Sequence, residues 1–318
     1  MKNFAILGVA GYIAPRHLQA IKDTGNRLVA AVDPHDSVGI LDRYFPDTSF
    51  FTEIERFDRH LEKLRRQSPA EAVDFLSICS PNHLHDAHIR LAFRLRADAI
   101  CEKPLVIKPS NLDAIQELEE EYSRKVYNIL QLREHKKIIE LKERIKKLSS
   151  NSKHEVLLTY ITSRGPWYKY SWKGDIEKSG GIATNIGIHF FDMLMWIFGK
   201  PQNYEVHIYQ ENKASGFIEL ENANIKWFLS IDDNDLPEEA KSKGQRTYRL
   251  ISIDGEDFEF SEGFTDLHTI VYDRILSGNG YGIDEARHAI ELVYRFKNSH
   301  SKINPETAHP YTLSVSGY

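Results

Sequence analysis

The chain has 318 residues, of which 41% are hydrophobic and 27% are charged, a composition typical of soluble globular proteins. Its net charge of −5 argues against a nucleic-acid-binding surface, and its two cysteines exclude a disulfide framework. The longest apolar stretch, residues 190–198, is far shorter than the roughly 20 residues that cross a bilayer. We therefore expect a cytoplasmic protein of one or two domains that binds neither a membrane nor a nucleic acid.

The N-terminal part alternates short apolar runs with helical patterns. Strands are predicted at 4–8, 27–33, 73–79, 99–101 and 126–132. Helices are predicted at 15–24, 37–45, 61–67, 83–95 and 112–123. Strands that alternate with helices form right-handed parallel crossovers. The pattern predicts an α/β fold with a doubly wound parallel sheet, a dinucleotide-binding domain that we place at residues 1–125.

Residues 126–318 predict a second domain with a different pattern. After a charged helix at 136–148, partial polar alternation indicates strands at 155–162, 204–209, 217–221, 225–231, 247–253 and 258–260. Short links between several of these strands favour a mostly antiparallel, open sheet. An apolar helix is predicted at 185–198, a mobile loop at 232–245, and final helices at 266–276 and 284–296. We expect this α+β domain to bind substrate and to form oligomer contacts, and its last helices could pack back on the first domain.

The turn after the first strand has the features of a dinucleotide-binding loop. Gly8 and Gly11 let the backbone approach a pyrophosphate, and Tyr12 and Ile13 lead into a helix whose first N–H groups are free to bind it. Asp33 ends the next strand, where an acidic side chain accepts hydrogen bonds from the adenosine ribose. No arginine directly follows this aspartate, which favours NAD over NADP. The alternative is an ordinary strand–helix turn with no ligand.

Two further strand ends carry polar groups at the sheet edge where ligands of open α/β sheets bind. One strand is followed by Ser-Pro-Asn-His and the next by Glu-Lys-Pro. Desolvation can lower the pKa of a lysine at such an edge, which suits proton transfer. The cofactor contacts expected here are Ser80, Asn82, His83, Glu102, Lys103 and, past a later strand end, Gln131. We predict no metal site, because the helix after Asn82 would splay His83, His85 and His88.

Four motifs in this order resemble those of the glucose-fructose oxidoreductase/inositol dehydrogenase/rhizopine catabolism (Gfo/Idh/MocA) family. They are the glycine turn, Ser80-Pro81-Asn82, Glu102-Lys103-Pro104-Leu105 and the Gly-Gly-opened helix at 180–189. The resemblance implies a Rossmann domain followed by an α/β domain whose open sheet often forms the oligomer contact. We accordingly expect a dimer or a tetramer.

The same resemblance implies which residues carry the chemistry. It implies that Lys103 contacts substrate and cofactor, and that His189 assists proton transfer. Many family members have aspartate four residues before this histidine, whereas this chain has Asn185. Residues four apart share one helical face, so we expect Asn185 and His189 to reach one substrate, with Asn185 orienting a hydroxyl or Lys103. Which of Lys103 and His189 is the base stays open.

The loop before this helix packs one arginine, two lysines and four aromatic residues into residues 164–175. Cations pair with phosphate or carboxylate groups, and aromatic faces stack on a sugar or a base. The loop therefore suits a nucleotide-sugar that carries a diphosphate and a uronate; the alternative is an exposed loop at a subunit contact. The predicted substrate contacts are Lys103, Arg164, Trp167, Tyr168, Lys169, Lys173, Asn185 and His189.

Within the family, the chain most resembles bacterial members that oxidise the C3 hydroxyl of UDP-N-acetylglucosaminuronate during O-antigen and lipopolysaccharide sugar biosynthesis. This resemblance lies at residues 11–17, 128–133, 160–165, 172–175 and 262–268. It implies NAD as the hydride acceptor and, as in some relatives, 2-oxoglutarate as the compound that reoxidises it. The alternatives are an NAD-dependent dehydrogenase of a free polyol or sugar, and a non-catalytic sensor of a dinucleotide or sugar nucleotide.

Overall fold

The computed structural model describes residues 1–147, 152–260 and 263–317. Two compact units divide the chain: Met1–Glu134 with Gly263–Arg287, and His135–Glu262 with His288–Tyr318. We call them the first unit and the second unit. The segment 263–287 thus belongs to the first unit, although it follows most of the second unit along the chain.

The described residues form the following regular elements. The strands are β1 (Asn3–Leu7), β2 (Arg27–Val32), β3 (Ser49–Phe51), β4 (Phe75–Ile78), β5 (Asp98–Cys101), β6 (Val126–Asn128), β7 (His154–Thr162), β8 (Pro201–Tyr209), β9 (Lys213–Leu220), β10 (Ala223–Ser230), β11 (Thr247–Ile253) and β12 (Glu256–Asp257). The α-helices are α1 (Ala14–Asp23), α2 (Ile40–Tyr44), α3 (Ile54–Gln67), α4 (His85–Arg94), α5 (Pro109–Tyr122), α6 (Lys136–Lys147), α7 (Trp167–Tyr170), α8 (Ile176–Ser179), α9 (Ile188–Phe198), α10 (Glu238–Ser242), α11 (Leu267–Leu276), α12 (Ile283–Lys297) and α13 (Pro310–Ser316).

The first unit contains a parallel sheet of six strands in the order β3-β2-β1-β4-β5-β6. Its central strand, β1, is buried on both faces, which explains its unbroken apolar sequence Phe-Ala-Ile-Leu. The strand order 3-2-1-4-5-6 defines a Rossmann sheet and places the ligand crevice beyond the carboxyl ends of β1 and β4. Because Val126 pairs with Ala99, β6 belongs to this sheet, so the division of the chain differs from the boundary predicted after residue 125.

The second unit contains a sheet in the order β12-β11-β7-β10-β9-β8. The expectation of a mostly antiparallel sheet is confirmed, except that β7 and β10 run parallel. A long crossover through α9, β8 and β9 separates these two strands, so the short-turn argument did not apply to them. The strand predicted at 258–260 is wrong. The hairpin turns at Asp254 and Gly255, whose φ angles of 53° and 84° suit a tight two-residue turn, and the returning strand β12 comprises only Glu256 and Asp257.

Other predicted elements differ from the structure in extent. The polar stretch 232–245 contains α10 and a 3-10 turn at Asp233–Asp235. The predicted strand at 126–132 ends at Asn128, and a 3-10 turn, Gln131–Glu134, follows it. Strand β3 and helix α13 were not predicted, because each is short and has no clear apolar period. Leu148, the predicted end of the charged helix, lies outside the described residues, as does Glu262 of the last motif.

An apolar helical stretch runs through the second unit from Ile176 to Phe198. Its 23 residues are long and apolar enough to cross a membrane, but 67% of its most apolar 18-residue part is buried inside the protein. Phe191 of this stretch packs edge-on against Trp227, with ring centroids 5.1 Å apart. Phe296 stacks on the same indole, also at 5.1 Å. Helix α9 of this stretch therefore contributes its buried apolar side chains to the core of the second unit.

Replacing Trp227 with alanine should lower the free energy of unfolding by about 3–5 kcal/mol, because the indole is fully buried between two aromatic rings. The indole Nε1 has no hydrogen-bond partner, so Trp227→Phe should cost clearly less. Chemical denaturation followed by circular dichroism measures both variants. A loss below about 1 kcal/mol in the alanine variant would contradict a core role for this side chain.

Candidate active site

The glycine turn of the first unit lies at the carboxyl end of β1. Gly8 has a φ angle of +81°, and a Cβ atom there would lie 2.7 Å from the carbonyl oxygen of Cys79. Its N–H donates to the carbonyl oxygen of Val32 at 2.9 Å, and the N–H of Gly11 donates back to the carbonyl oxygen of Gly8 at 3.0 Å. The turn therefore packs directly against the end of β4, and only glycine fits at its first position.

Asp33, at the end of β2, supports this turn. One carboxylate oxygen accepts the N–H of Ala10 at 3.0 Å, and the other accepts the N–H of His35 at 2.9 Å. Each oxygen keeps a lone pair for a ribose hydroxyl. Tyr12 is 90% exposed, whereas Ile13 packs against the core, and the first turn of α1 contains no acidic residue that would repel a pyrophosphate.

The loops after β4 and β5 are tied together by His85. Its Nδ1 lies 2.7 Å from the carbonyl oxygen of Pro104, and its Nε2 lies 2.9 Å from the carbonyl oxygen of Ser80. The Ser80 hydroxyl contacts His88 Nδ1 at 2.8 Å, and burial lowers the pKa of His88 to about 4, so this imidazole is neutral. His83 is exposed. His85 and His88 thus hold these two loops in place.

Glu102 and Lys103 begin the loop after β5. The side-chain amide of Asn128 donates to the carbonyl oxygens of Cys101 (3.0 Å) and Glu102 (3.3 Å), which fixes the strand end from the neighbouring strand. Lys103 is half-buried, and its peptide bond to Pro104 is cis. Glu102 is only 6% exposed, and both of its carboxylate oxygens bond to groups of the first unit. Its predicted cofactor contact stays a prediction, and the structure shows its carboxylate held inside the protein by these groups.

Two histidines that the sequence analysis did not select contact this carboxylate. His17 Nε2 and His268 Nε2 each lie 3.0 Å from Glu102 Oε1. Among the described residues, this trio is the group whose donor atoms lie close enough to hold a metal ion. Both histidines stand in motifs noted for their family resemblance, at 11–17 and 262–268, but those motifs suggested no role for them.

Gln131, in the 3-10 turn after β6, carries a buried amide oxygen with no hydrogen-bond partner. Leaving a buried acceptor unpaired costs about 1–3 kcal/mol. A carboxamide N–H donor, such as that of a nicotinamide, would satisfy it. The unpaired amide oxygen of Gln131 fits the prediction that this residue contacts a dinucleotide. The turn at Gly8 and Gly11, which leaves no room for a side chain, fits the same prediction.

In the second unit, the two glycines at 180 and 181 precede a π-helical turn, Ala183–Gly187, which leads into α9. Asn185 lies in this π turn and His189 in the first turn of α9, so the pair does not lie in one regular α-helix. That both side chains reach one substrate stays a prediction. Single π-helical turns of this kind often occur at functional sites. The side-chain amide of Asn185 donates to the Tyr168 hydroxyl at 2.9 Å. Both Asn185 and His189 are partly exposed.

This bond joins the helix to the cation-rich loop. Burial raises the pKa of Tyr168, against the opposing effects of the Asn185 bond and Arg164. The Lys173 ammonium lies 5.4 Å from the Trp167 ring centroid and 5.1 Å from that of Trp172. Burial lowers the pKa of Lys173, and the nearby positive charge of Arg164 lowers it further. Lys169 lies on α7 beside Tyr168 and is exposed.

The structure thus groups the predicted residues within each unit. Those grouped at the sheet edge of the first unit are Gly8, Gly11, Tyr12, Ile13, Asp33, Ser80, Asn82, His83, Glu102, Lys103 and Gln131. Those carried by the second unit are Arg164, Trp167, Tyr168, Lys169, Lys173, Asn185 and His189. The first set has the backbone geometry of a dinucleotide site. The second set presents three cations, aromatic faces and an imidazole.

Comparisons with known proteins agree with these features. An oxidoreductase family with an NAD-binding Rossmann fold, Gfo/Idh/MocA, matches residues 2–129, and its C-terminal α/β domain matches residues 152–234. The WlbA (WbpB) dehydrogenase from Thermus thermophilus is 51% identical, with a TM-score of 0.93, over 98% of this chain and 100% of that chain. It was solved with NAD and UDP-GlcNAcA and, separately, with NAD and alpha-ketoglutarate.

More distant proteins share less with the chain. The WlbA dehydrogenase from Bordetella pertussis is 18% identical with a TM-score of 0.74, over 93% of this chain and 95% of that chain. At this identity the similarity shows a shared fold. The oxidoreductase YteT from Bacillus subtilis is 27% identical over 200 residues, which are 61% of this chain and 42% of that relative. The chain thus spans less than half the length of that relative. Because the two family domains match most of its length, the chain belongs to the Gfo/Idh/MocA oxidoreductase family.

Proposed function

We propose that this chain is an NAD-dependent dehydrogenase that oxidises the C3 hydroxyl of UDP-GlcNAcA to a 3-keto sugar. The observation that carries the proposal is the 51% identity, over 98% of the chain, to a dehydrogenase solved with NAD and UDP-GlcNAcA. The two-unit architecture and the cation-rich loop are consistent with it. The product would serve the synthesis of O-antigen and lipopolysaccharide sugars.

The first unit would hold NAD. The turn at Gly8 and Gly11 and the first N–H groups of α1 would receive the pyrophosphate, and Asp33 would receive the adenosine ribose. Gln131 would accept a hydrogen bond from the carboxamide. When bound, NAD supplies a hydride acceptor for the hydrogen on C3 of the sugar. Ser80, Asn82 and His83 would complete the cofactor contacts.

The protein must also remove the hydroxyl proton from the C3 oxygen as the C3–H bond breaks. Lys103 and His189 are the candidate proton acceptors, and either residue type can be tuned for this task. A half-buried lysine can act as a base only in its neutral form, and desolvation favours that form. Asn185 cannot carry charge, so we assign it to orienting a hydroxyl group through its amide, which already donates to Tyr168.

The second unit would bind the anionic parts of the substrate. Arg164, Lys169 and Lys173 are suited to the diphosphate and the uronate carboxylate, and Trp167 and Tyr168 provide apolar faces. Charge-assisted hydrogen bonds of this kind contribute about 1.5–3 kcal/mol each. A substrate without these charges would leave the cations of the loop unpaired.

We further propose that 2-oxoglutarate reoxidises the cofactor. In that step NADH gives a hydride to the keto carbon and a proton reaches its oxygen, which forms a 2-hydroxy acid and regenerates NAD⁺. Binding of alpha-ketoglutarate by the Thermus thermophilus enzyme supports this assignment. We also propose that the protein works in the cytoplasm as a homodimer or homotetramer, with the open sheet of the second unit as the contact.

A substrate panel tests the proposed function. The purified protein is mixed with NAD⁺ and either UDP-GlcNAcA, UDP-GlcNAc, free glucose or myo-inositol, and NADH is followed by its near-ultraviolet absorbance. We expect turnover with UDP-GlcNAcA and much less with the other three compounds; added 2-oxoglutarate should sustain turnover and consume NADH. Faster turnover of a free sugar or polyol would refute UDP-GlcNAcA as the substrate. The absence of NADH formation with every compound would favour a non-catalytic sensor.

Replacing Lys173 with methionine should raise KM for UDP-GlcNAcA by about 10–100-fold, because one charge-assisted contact is lost, with a smaller change in kcat. Since burial lowers the pKa of Lys173, this lysine loses its charge at a lower pH than an ordinary lysine. KM of the native protein should therefore climb as the pH becomes alkaline, and this climb should be absent in the variant. Lys178→Met, at an exposed lysine of α8, is the matched control. An unchanged KM would remove Lys173 from the substrate site.

A further inference from the structure

A chain of buried polar side chains lies behind the Glu102-Lys103 turn. His17 Nδ1 lies 2.7 Å from the Tyr272 hydroxyl, and that hydroxyl lies 2.7 Å from Ser77 Oγ. His17 and His268 each approach Glu102 Oε1 at 3.0 Å through Nε2. All five side chains belong to residues that are at most 6% exposed. They come from α1, β4, the end of β5 and α11, all within the first unit.

The chemistry of these groups allows one consistent direction of donation. An ionised carboxylate only accepts hydrogen bonds, so both imidazoles donate from Nε2. Burial lowers the pKa of His17 despite the opposing effect of Glu102, so this imidazole is neutral and its Nδ1 accepts from Tyr272. The Tyr272 oxygen then accepts from the Ser77 hydroxyl. Every donor in this order meets an acceptor.

The second carboxylate oxygen faces the reactive turn. Glu102 Oε2 accepts the backbone N–H of Lys103 at 3.2 Å. One carboxylate thus joins two helices, α1 and α11, to the backbone of the residue proposed as a proton acceptor. Protonation at Oε2 would place a hydrogen against the Lys103 N–H, and protonation at Oε1 would displace an imidazole.

The environment of Glu102 keeps this carboxylate ionised. Burial alone would raise its pKa, but hydrogen bonds from His17 and His268 outweigh burial and hold the pKa of Glu102 well below its usual value. The neighbouring thiols of Cys79 and Cys101 and the Tyr272 phenol have raised pKa values and are neutral. The titratable groups that face Glu102 are His17, Cys79, His85, Cys101, Lys103, His268 and Tyr272.

We propose that His17 and His268 are positioning residues for the reaction and act on Lys103 through Glu102. Their two N–H groups keep the carboxylate charged and immobile, and the carboxylate in turn fixes the backbone from which the Lys103 side chain extends. The inference rests on the proposed role of Lys103 in the dehydrogenation. It adds two residues, 85 and 166 positions from Glu102 in sequence, to the groups on which turnover depends.

The first test compares His268→Leu, which removes the donor, with His268→Gln, whose amide can donate from a similar position. In the leucine variant we expect kcat for UDP-GlcNAcA to fall about 10–100-fold while KM for NAD changes little. The pKa of Glu102 should rise when one donor is lost, so the acid limb of kcat should move to higher pH. The glutamine variant should restore kcat and return the acid limb of its pH profile to the native position. His300→Leu, at an exposed histidine, is the control.

Two outcomes would overturn the proposal. A folded leucine variant with an unmoved acid limb would show that His268 does not control the ionisation of Glu102. A folded glutamine variant that is as impaired as the leucine variant would make His268 a packing residue only. Should the leucine variant fail to fold, Glu102→Gln provides the second test: it cannot ionise and should lose turnover about 10–100-fold at every pH. Native turnover in that variant would equally refute the proposal.

A readout without substrate or cofactor comes from nitrogen NMR of the histidine rings. We expect His17 to remain neutral with its proton on Nε2 across neutral pH, and Nε2 of His268 to carry a proton that it shares with Glu102. The competing explanation is a divalent metal between the three donor atoms, which lie within 4.8 Å of one another. Stoichiometric zinc in the purified protein, lost in His17→Leu, would replace the hydrogen-bond proposal with a metal site.

Two results distinguish a failure of the proposed catalytic role of Lys103 from a failure of the proposed positioning role of His17 and His268. If Lys103→Met retains turnover, the catalytic role of Lys103 is wrong whatever the histidine variants do. If Lys103→Met is inactive but both histidine variants behave as the native protein, only the positioning role is wrong.

Discussion

Replacing Lys103 with methionine should reduce turnover of UDP-GlcNAcA by about 10²–10⁴-fold, the range that a positioned proton-transfer group contributes. Methionine keeps the apolar stem and about the same length, so the packing of this half-buried position changes little. It has no nitrogen that can exchange a proton with the C3 hydroxyl. Affinity for NAD should be nearly unchanged, because the glycine turn and Asp33 are intact in the variant.

The measurement is the initial rate of NADH formation at saturating substrate, paired with calorimetric titration of NAD. Lys108→Met, at an exposed lysine just before α5, provides the control and should behave as the native protein. Equal turnover in Lys103→Met and the native protein would leave His189 as the candidate base. In that event His189→Asn should show the large loss instead.

Replacing Gly8 with alanine should weaken NAD binding by about 10–100-fold and lower the melting temperature. The φ angle of +81° is unfavourable for alanine, and its Cβ would lie 2.7 Å from the carbonyl oxygen of Cys79. Backbone strain of this kind costs about 1–3 kcal/mol. Neither β1 nor β4 can move away easily, because Leu7 and Ile78 are paired in the centre of the sheet.

Calorimetric titration of NAD and thermal denaturation measure the two effects of this substitution. Gly39→Ala is the matched control, since Gly39 has an ordinary φ angle of −54° and open space where its Cβ would lie. It should leave both NAD affinity and melting temperature close to native values. Native affinity in Gly8→Ala would mean that the turn is not the pyrophosphate site.

Local patterns in the chain predict much of the fold and the family to which the chain belongs. The alternation of apolar runs and helices predicted the parallel sheet, which the strand order β3-β2-β1-β4-β5-β6 confirms. The ordered motifs predicted membership of the Gfo/Idh/MocA family, which the matches to both of its domains confirm. These features are readable because a buried parallel strand, a glycine turn and a strand end each have a signature within a few residues.

Helical periodicity did not predict the π turn that precedes α9. Asn185 and His189 are four residues apart, which predicts one face of an α-helix, whereas Asn185 lies in a π turn, Ala183–Gly187, that precedes α9. The widened turn depends on its surroundings, among them the preceding Gly180 and Gly181 with φ angles of 82° and 84°. A periodicity of 3.6 residues cannot report such an insertion.

The sequence by itself determined the sheet type of each domain, the place of the glycine turn and the family, because these depend on residues that are close together along the chain. Tertiary structure alone decided that His17 and His268 meet one oxygen of Glu102 across 85 and 166 positions, and that β7 pairs with β10 in parallel. Contacts of this kind are selected by the packing of whole elements and by the need of every buried polar group for a partner. No local pattern specifies which distant element supplies that partner.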